Sequence, residues 1–124
     1  MKAKRSAVQY LEDIRDAMQE AENFVRGLTF EQFAADKRTN YAVVRALEII
    51  GEAAKHVPPT IRKRYAELPW REMAGTRDKI THEYFGVDLA IVWKTVKKEI
   101  PRTRPLVEQA LRDLSAEEGS PDDR

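Results

Sequence analysis

The densest chemistry in this chain lies in Arg77-Asp78-Lys79-Ile80-Thr81-His82-Glu83-Tyr84-Phe85, which brings a guanidinium, an imidazole, carboxylates and a phenol into one short stretch. Read as a helix, this stretch sets Arg77 and Tyr84 on one face two turns apart and Asp78 one turn before His82. The Asp78 carboxylate would then accept a hydrogen bond from the imidazole, fix its tautomer and favour its protonated form. A place in the last helical turn would favour imidazolium as well. His and Arg beside basic flanks suit metal-independent cleavage of RNA, which brings its own nucleophile. His82 would move the proton of the 2′-hydroxyl or of the leaving oxygen, and Arg77 would stabilise the anionic phosphorane-like transition state. The plainer reading gives His82 a capping or pairing role at a helix end and Arg77 a surface salt bridge. Spacing alone favours that plainer reading, because an Arg-x4-His pattern is common by chance.

The flanks carry an uneven charge. The chain has 22 Lys and Arg against 21 Asp and Glu, so the total gives no case for nucleic-acid binding. Locally, Arg62, Lys63, Arg64 and Arg71 stand against Glu67 alone, and Lys94, Lys97, Lys98, Arg102 and Arg104 against Glu99 alone. Counterion release needs several cations gathered on one surface. Each segment taken by itself reads as a solvated helix face. The acidic stretch from Asp113 to Asp123 conceals the basic excess in the total.

Composition removes other classes of answer. With no Cys and two His, thiol nucleophiles, iron–sulfur clusters and Cys-ligated zinc are excluded, and an imidazole-rich metal site is not expected. No cofactor and no metal is expected. At 124 residues one domain is the default, large enough to fold without staples. No secretory signal and no membrane span is expected, since Glu12, Asp13 and Arg15 precede any long apolar run. A cytoplasmic protein is the expectation.

The elements that must position the segment read as helices throughout. Val8, Leu11, Ile14, Met18, Ala21, Phe24 and Leu28 form one stripe of a helix from about Lys4 to Arg26, stopped at Gly27. Thr29 and Gln32 spell a capping box for a short second helix, followed by a polar break from Asp36 to Asn40. Tyr41, Val43, Val44, Leu47, Ile50, Ala54 and Val57 give a wide apolar face on a central helix, within which Gly51 permits close helix approach. Pro58-Pro59 ends it, and Thr60 to Leu68 supplies one or two turns. A helix from Trp70 to Phe85 is expected, broken at Gly75-Thr76 with Thr76 as N-cap. Asp88 caps the last helix, which Pro101 and Pro105 should kink or split. Residues 1–114 form a single domain and 115–124 an acidic disordered tail. The fold class is all-α, an antiparallel bundle of four to six helices.

Other candidates are set aside. His56 is a partner for the helix dipole, Glu48 and Glu52 are structural ion-pair carboxylates, and Trp70 and Trp93 are core anchors rather than base-stacking platforms.

The run from Leu68 through Asp88, with Ile91-Val92-Trp93 after it and Arg45-Ala46-Leu47-Glu48-Ile49-Ile50-Gly51-Glu52-Ala53 on the central helix, closely resembles the HepT-like branch of the HEPN superfamily. The resemblance extends to about Leu114, and the Arg-x4-His-x-Tyr motif in this setting is far more specific than the bare spacing. It implies a HEPN-like, all-helical toxin that acts as a metal-independent ribonuclease and is encoded beside a minimal nucleotidyltransferase antitoxin. It implies a homodimer whose Arg and His residues line one composite cleft. Carried onto this chain, Arg77 and His82 are catalytic and Asp78, where many members have Asn, is a supporting residue. Tyr84 matches the tyrosine modified with AMP, and Lys79, Lys94, Lys97 and Lys98 are the candidate RNA contacts. The competing reading is a non-catalytic helical subunit that binds substrate for a nucleotidyltransferase or serves dimerisation only.

Overall fold

The computed structural model describes residues 5–82 and 86–118. Three long helices carry the core: α1 (Ala7–Val25), α3 (Lys37–His56) and α8 (Ile100–Glu118). Between them lie α2 (Phe30–Ala35), α4 (Pro59–Arg64), α5 (Trp70–Ala74), α6 (Thr76–Ile80) and α7 (Leu89–Lys94). A two-stranded hairpin of β1 (Thr81–His82) and β2 (Gly86–Val87) separates α6 from α7. The all-α reading holds for the architecture, with this short hairpin as the exception.

Local chemistry sets the boundaries. Ser6 and Gln9 form a reciprocal capping box at the start of α1, and Gly27, at φ 79°, reverses the chain after it. Thr29 and Gln32 repeat the box at α2, as expected. The polar break expected from Asp36 to Asn40 is instead the first turn of α3. Asp36 accepts hydrogen bonds from the Arg38 and Thr39 amides, at 3.1 and 3.4 Å, and so caps a helix that begins at Lys37.

Packing is antiparallel where the long helices meet. The Tyr10 ring near the start of α1 stacks on the His56 ring at the end of α3, with centroids 5.4 Å apart. Late in α1, Glu22 pairs with Arg104, early in α8, at 2.9 Å. Leu11, Ile14, Met18, Phe33, Val43, Leu47, Ile80, Val92, Val96 and Val107 are fully buried in the shared core. Phe30, Phe33 and Trp93 form a cluster of tilted and edge-on rings that fixes α2 against α7. Trp70 is half-buried and donates its indole N–H to the Tyr65 carbonyl at 3.0 Å.

Of the two prolines expected to kink or split the last helix, Pro101 follows an interruption of it and Pro105 lies within a continuous stretch. A π-helical turn, Thr95–Glu99, joins α7 to α8 and closes with the Ile100 N–H on the Thr95 carbonyl. A proline ring collides with the carbonyl four residues before it in a regular helix, so widening the turn ahead of Pro101 gives that ring clearance. The helix continues through Pro105. It also continues past Ser115, where the disordered tail was expected, and reaches Glu118. Arg64 of α4 and Glu117 form a two-pronged ion pair there, and the Tyr65 hydroxyl donates to Asp113 at 3.0 Å. Residues 119–124 of the tail lie outside the described residues. Among the described residues no helix is long and apolar enough to cross a membrane.

Candidate active site

The site is built on α6. Gly51 of α3 lets this region come close, since a Cβ on it would sit 3.0 Å from the Met73 carbonyl oxygen and 3.7 Å from Thr76 Cβ. The expected break at Gly75-Thr76 is present, but Gly75 occupies the N-cap position. Thr76 lies inside the helix and turns its hydroxyl back to the Met73 carbonyl at 2.7 Å, which satisfies a buried polar group without capping. Thr76 and Ile80, one turn apart, are both buried. Their inward direction forces the residues between them outward, so Arg77, Asp78 and Lys79 are all exposed.

The helix then stops earlier than expected. The Thr81 N–H still bonds to the Arg77 carbonyl, but Thr81 itself is extended at φ −107°, ψ 126°. Thr81 pairs with Val87 and His82 with Gly86, and Gly86 adopts φ 76°. The base of the hairpin is closed by the Asp88 N–H on the Ile80 carbonyl at 2.6 Å, and Asp88 goes on to cap α7 through the Ile91 amide at 3.1 Å. Consequently the one-turn relation between Asp78 and His82 does not exist, and His82 is not in a helical last turn. β-Branched and aromatic residues around Gly86 favour extended chain, and they override the helical periodicity. Tyr84, and with it the helical face expected to carry Arg77 and Tyr84 together, lies outside the described residues.

The candidate lysines are exposed but divided. Lys79 opens on a cavity of about 280 Å³ together with Thr95 and Glu99. Lys97 lies over the Trp93 ring, 5.2 Å from its centroid, and borders a different groove with Arg26 and Arg104. Lys94 and Lys98 are exposed on the same helical run. Among the described residues no cluster of acidic and imidazole side chains is arranged to hold a metal. Glu48 and Glu52 sit near cations, Arg45 at 3.8 Å and Lys55 at 3.7 Å, in agreement with structural ion pairing.

A groove of about 630 Å³ beside the hairpin was not anticipated. Lys37, Tyr41 and Arg45 of α3 form one wall and Gly86, Val87 and Leu89 the other. Tyr41, expected on the buried face of α3, is 73% exposed. The buried stripe of α3 runs through Asn40, Val43, Leu47, Ile50 and Ala54, and Tyr41 lies off its edge.

Comparison with known proteins decides the relationship. The family described as Ribonuclease HepT-like matches residues 14–110, a span that includes α6 and the hairpin. The chain belongs to this HepT-like family. It is 55% identical over 98 residues to the probable ribonuclease HepT of Thermococcus cleftensis, covering 79% of this chain and 89% of that one. It is 43% identical over 115 residues to a Methanocaldococcus jannaschii protein named "Putative RNase MJ1216", covering 93% and 95%. No solved structure matches. In this HepT-like chain the Arg-x4-His spacing thus bridges a helix end and a strand, with Arg77 on the last turn of α6 and His82 on β1.

Proposed function

We propose that this chain is a metal-independent RNA endonuclease, the toxin of a two-gene module, with Arg77 and His82 as its catalytic pair. The observation that carries the reading is the family match across residues 14–110, which spans the whole Arg77-to-Tyr84 motif and joins this chain to relatives named as ribonucleases. The imidazole of His82 accepts the proton of a ribose 2′-hydroxyl as that oxygen attacks the adjacent phosphorus. The bond from phosphorus to the 5′-oxygen then breaks, and the leaving oxygen takes up a proton. Products are a 2′,3′-cyclic phosphate and a free 5′-hydroxyl. Arg77 offsets the charge that builds on the non-bridging oxygens. Its exposure, with no ion-pair partner among the described residues, supports that use. In a homodimer two such motifs line one cleft, so that one His82 can serve as base and the other as acid. A minimal nucleotidyltransferase antitoxin silences the enzyme by attaching AMP to Tyr84. Lys79, Lys94, Lys97 and Lys98 bind RNA phosphates. Asp78 keeps only a supporting part, through its charge beside Arg77.

The test is cleavage of RNA by the full chain with and without EDTA, beside His82→Ala and Arg77→Ala. Each substitution is expected to lower the rate by roughly 10²-fold or more, with the helical signal unchanged and EDTA without effect. Cleavage that stops with EDTA, or persists in His82→Ala, overturns the assignment.

A further inference from the structure

Among the described residues Tyr41 is the most exposed of the large hydrophobic side chains, and it shares its groove with Val87, itself 38% exposed. No ring of the described residues stacks on it. Lys37, Tyr41 and Arg45 follow one another at one-turn intervals, so a cation stands one turn before the ring and another one turn after it. Both cations are exposed, and Arg45 reaches only a loose contact with Glu48, at 3.8 Å. Across the groove, Gly86 is the ladder partner of His82. The far wall is therefore one strand spacing, about 4.8 Å, from the backbone of a proposed catalytic residue. An aromatic face between cations is the arrangement that holds single-stranded nucleic acid without reading its sequence.

We propose that Tyr41 is a stacking platform for an unpaired RNA base next to the scissile phosphate, with Lys37 and Arg45 holding the adjoining phosphates. This rests on the ribonuclease reading and gives the enzyme a substrate subsite on α3, away from the lysines of α7 and the π-turn. Unpaired bases can lie in the groove, whereas a duplex keeps its bases stacked inside. Single-stranded RNA is therefore the substrate class. Charge favours RNA over a protein partner here: the two cations stand one turn to either side of the ring, and among the described residues that line the groove Glu48 is the one acidic side chain.

The experiment measures binding of a fluorescently labelled single-stranded RNA oligonucleotide to the full-length His82→Ala protein, which is expected not to cleave it. Adding Tyr41→Ala should weaken binding roughly 5- to 150-fold, the range for losing one stacked base, whereas Tyr41→Phe should hold affinity within about twofold. Lys37→Ala and Arg45→Ala should each reduce the salt dependence of binding by about one counterion. Tyr41 is exposed, so a melting curve unchanged in Tyr41→Ala separates this from misfolding. Equal affinity of the Tyr41→Ala and parent proteins overturns the subsite, and cleavage by the wild type then leaves the ribonuclease reading standing. Loss of self-association in Tyr41→Ala, read by sedimentation, also overturns it and makes the groove an interface between copies. If the wild type neither binds nor cleaves RNA, the ribonuclease reading fails and the subsite with it.

Discussion

Gly51 and Met73 meet at the junction that carries the candidate site, where the glycine of α3 leaves no room for a side chain in front of the Met73 carbonyl. The nearest atom is backbone and cannot rotate away. Gly51→Ala gains roughly 1 kcal/mol of helix propensity, but it must push α5 and the following turn off α3. A net destabilisation of roughly 1–2 kcal/mol is expected from such overpacking, read as a lower midpoint in urea. Because α5 leads straight into α6, cleavage should fall together with stability. A variant as stable and as active as the parent would show that α5 shifts freely.

Gly86 presents the opposite case, since no described residue lies within 4 Å of a Cβ built on it, yet its φ is 76°. Gly86→Ala therefore costs strain alone, roughly 1–2 kcal/mol. Asn tolerates this conformation better, so Gly86→Asn should recover part of the loss. The strain falls on the ladder partner of His82, and the cleavage rate should drop by more than the fraction unfolded accounts for. Circular dichroism melts beside single-turnover rates check this, and a rate that simply tracks the folded fraction would separate the hairpin from catalysis.

Acid should loosen both ends of the bundle. The Thr39 hydroxyl and amide hold the Asp36 carboxyl below the usual carboxylate range, and the Arg64 guanidinium does the same to Glu117. A carboxylate with a depressed folded-state pKa stabilises at pH values above its unfolded pKa. That contribution is lost as pH falls through the folded value. Both groups are exposed, so the effects are modest. Asp36→Asn keeps a capping side chain that does not titrate. Its melting temperature should fall less than that of the parent between about pH 6 and about pH 3, and Glu117→Gln should likewise flatten the profile. Identical slopes in parent and variants would assign the acid sensitivity to other carboxylates.

Self-association is open to a direct measurement. Sedimentation of the full chain at micromolar concentration is expected to give a dimer, and mixing inactive Arg77→Ala with inactive His82→Ala chains is expected to restore part of the cleavage if the two motifs share a cleft. A strict monomer removes the composite site.

Control by nucleotide attachment is tested by mass. Incubation with ATP, magnesium and the proposed nucleotidyltransferase partner should add AMP to the chain, and Tyr84→Phe should abolish the addition. Each AMP brings bulk and negative charge that compete with RNA for Arg77. An increment that persists in Tyr84→Phe moves the modification elsewhere.

Much of the frame was legible because its signals are local. The Thr29–Gln32 box, the Asp88 cap and the stop at Gly27 each depend on residues a few positions apart, and all are present, while the close approach at Gly51 was marked by a glycine inside a helix. Asp36 was misread since Lys37, Arg38, Thr39 and Asn40 look like loop by composition, although they form a capped first turn. The end of α8 depends on Arg64, more than fifty residues away from Glu117, a pairing that no local pattern records. The hairpin had a signal, the β-branched and aromatic residues around Gly86, but the helical spacing of Asp78 and His82 drew the reading to a longer helix. Arg77 is exposed on α6. The division of Lys79 from Lys97 and the exposure of Tyr41 depend on how neighbouring helices rotate, which the stripe on a single helix does not determine.

The π-helical turn at Thr95–Glu99 also bears on how the chain can change in length. Such a turn accommodates one residue more than an α-helix over the same rise. Deleting one residue there would close the ladder as ordinary α-helix and keep Val92 before it and Val107 after it directed to the core, at the cost of returning the Pro101 ring to the carbonyl four residues before it. An insertion or deletion at most other helical positions rotates everything downstream by about 100°. This turn is thus the place in the bundle where the reading frame of the fold can slip by one residue while the buried faces on either side stay in phase.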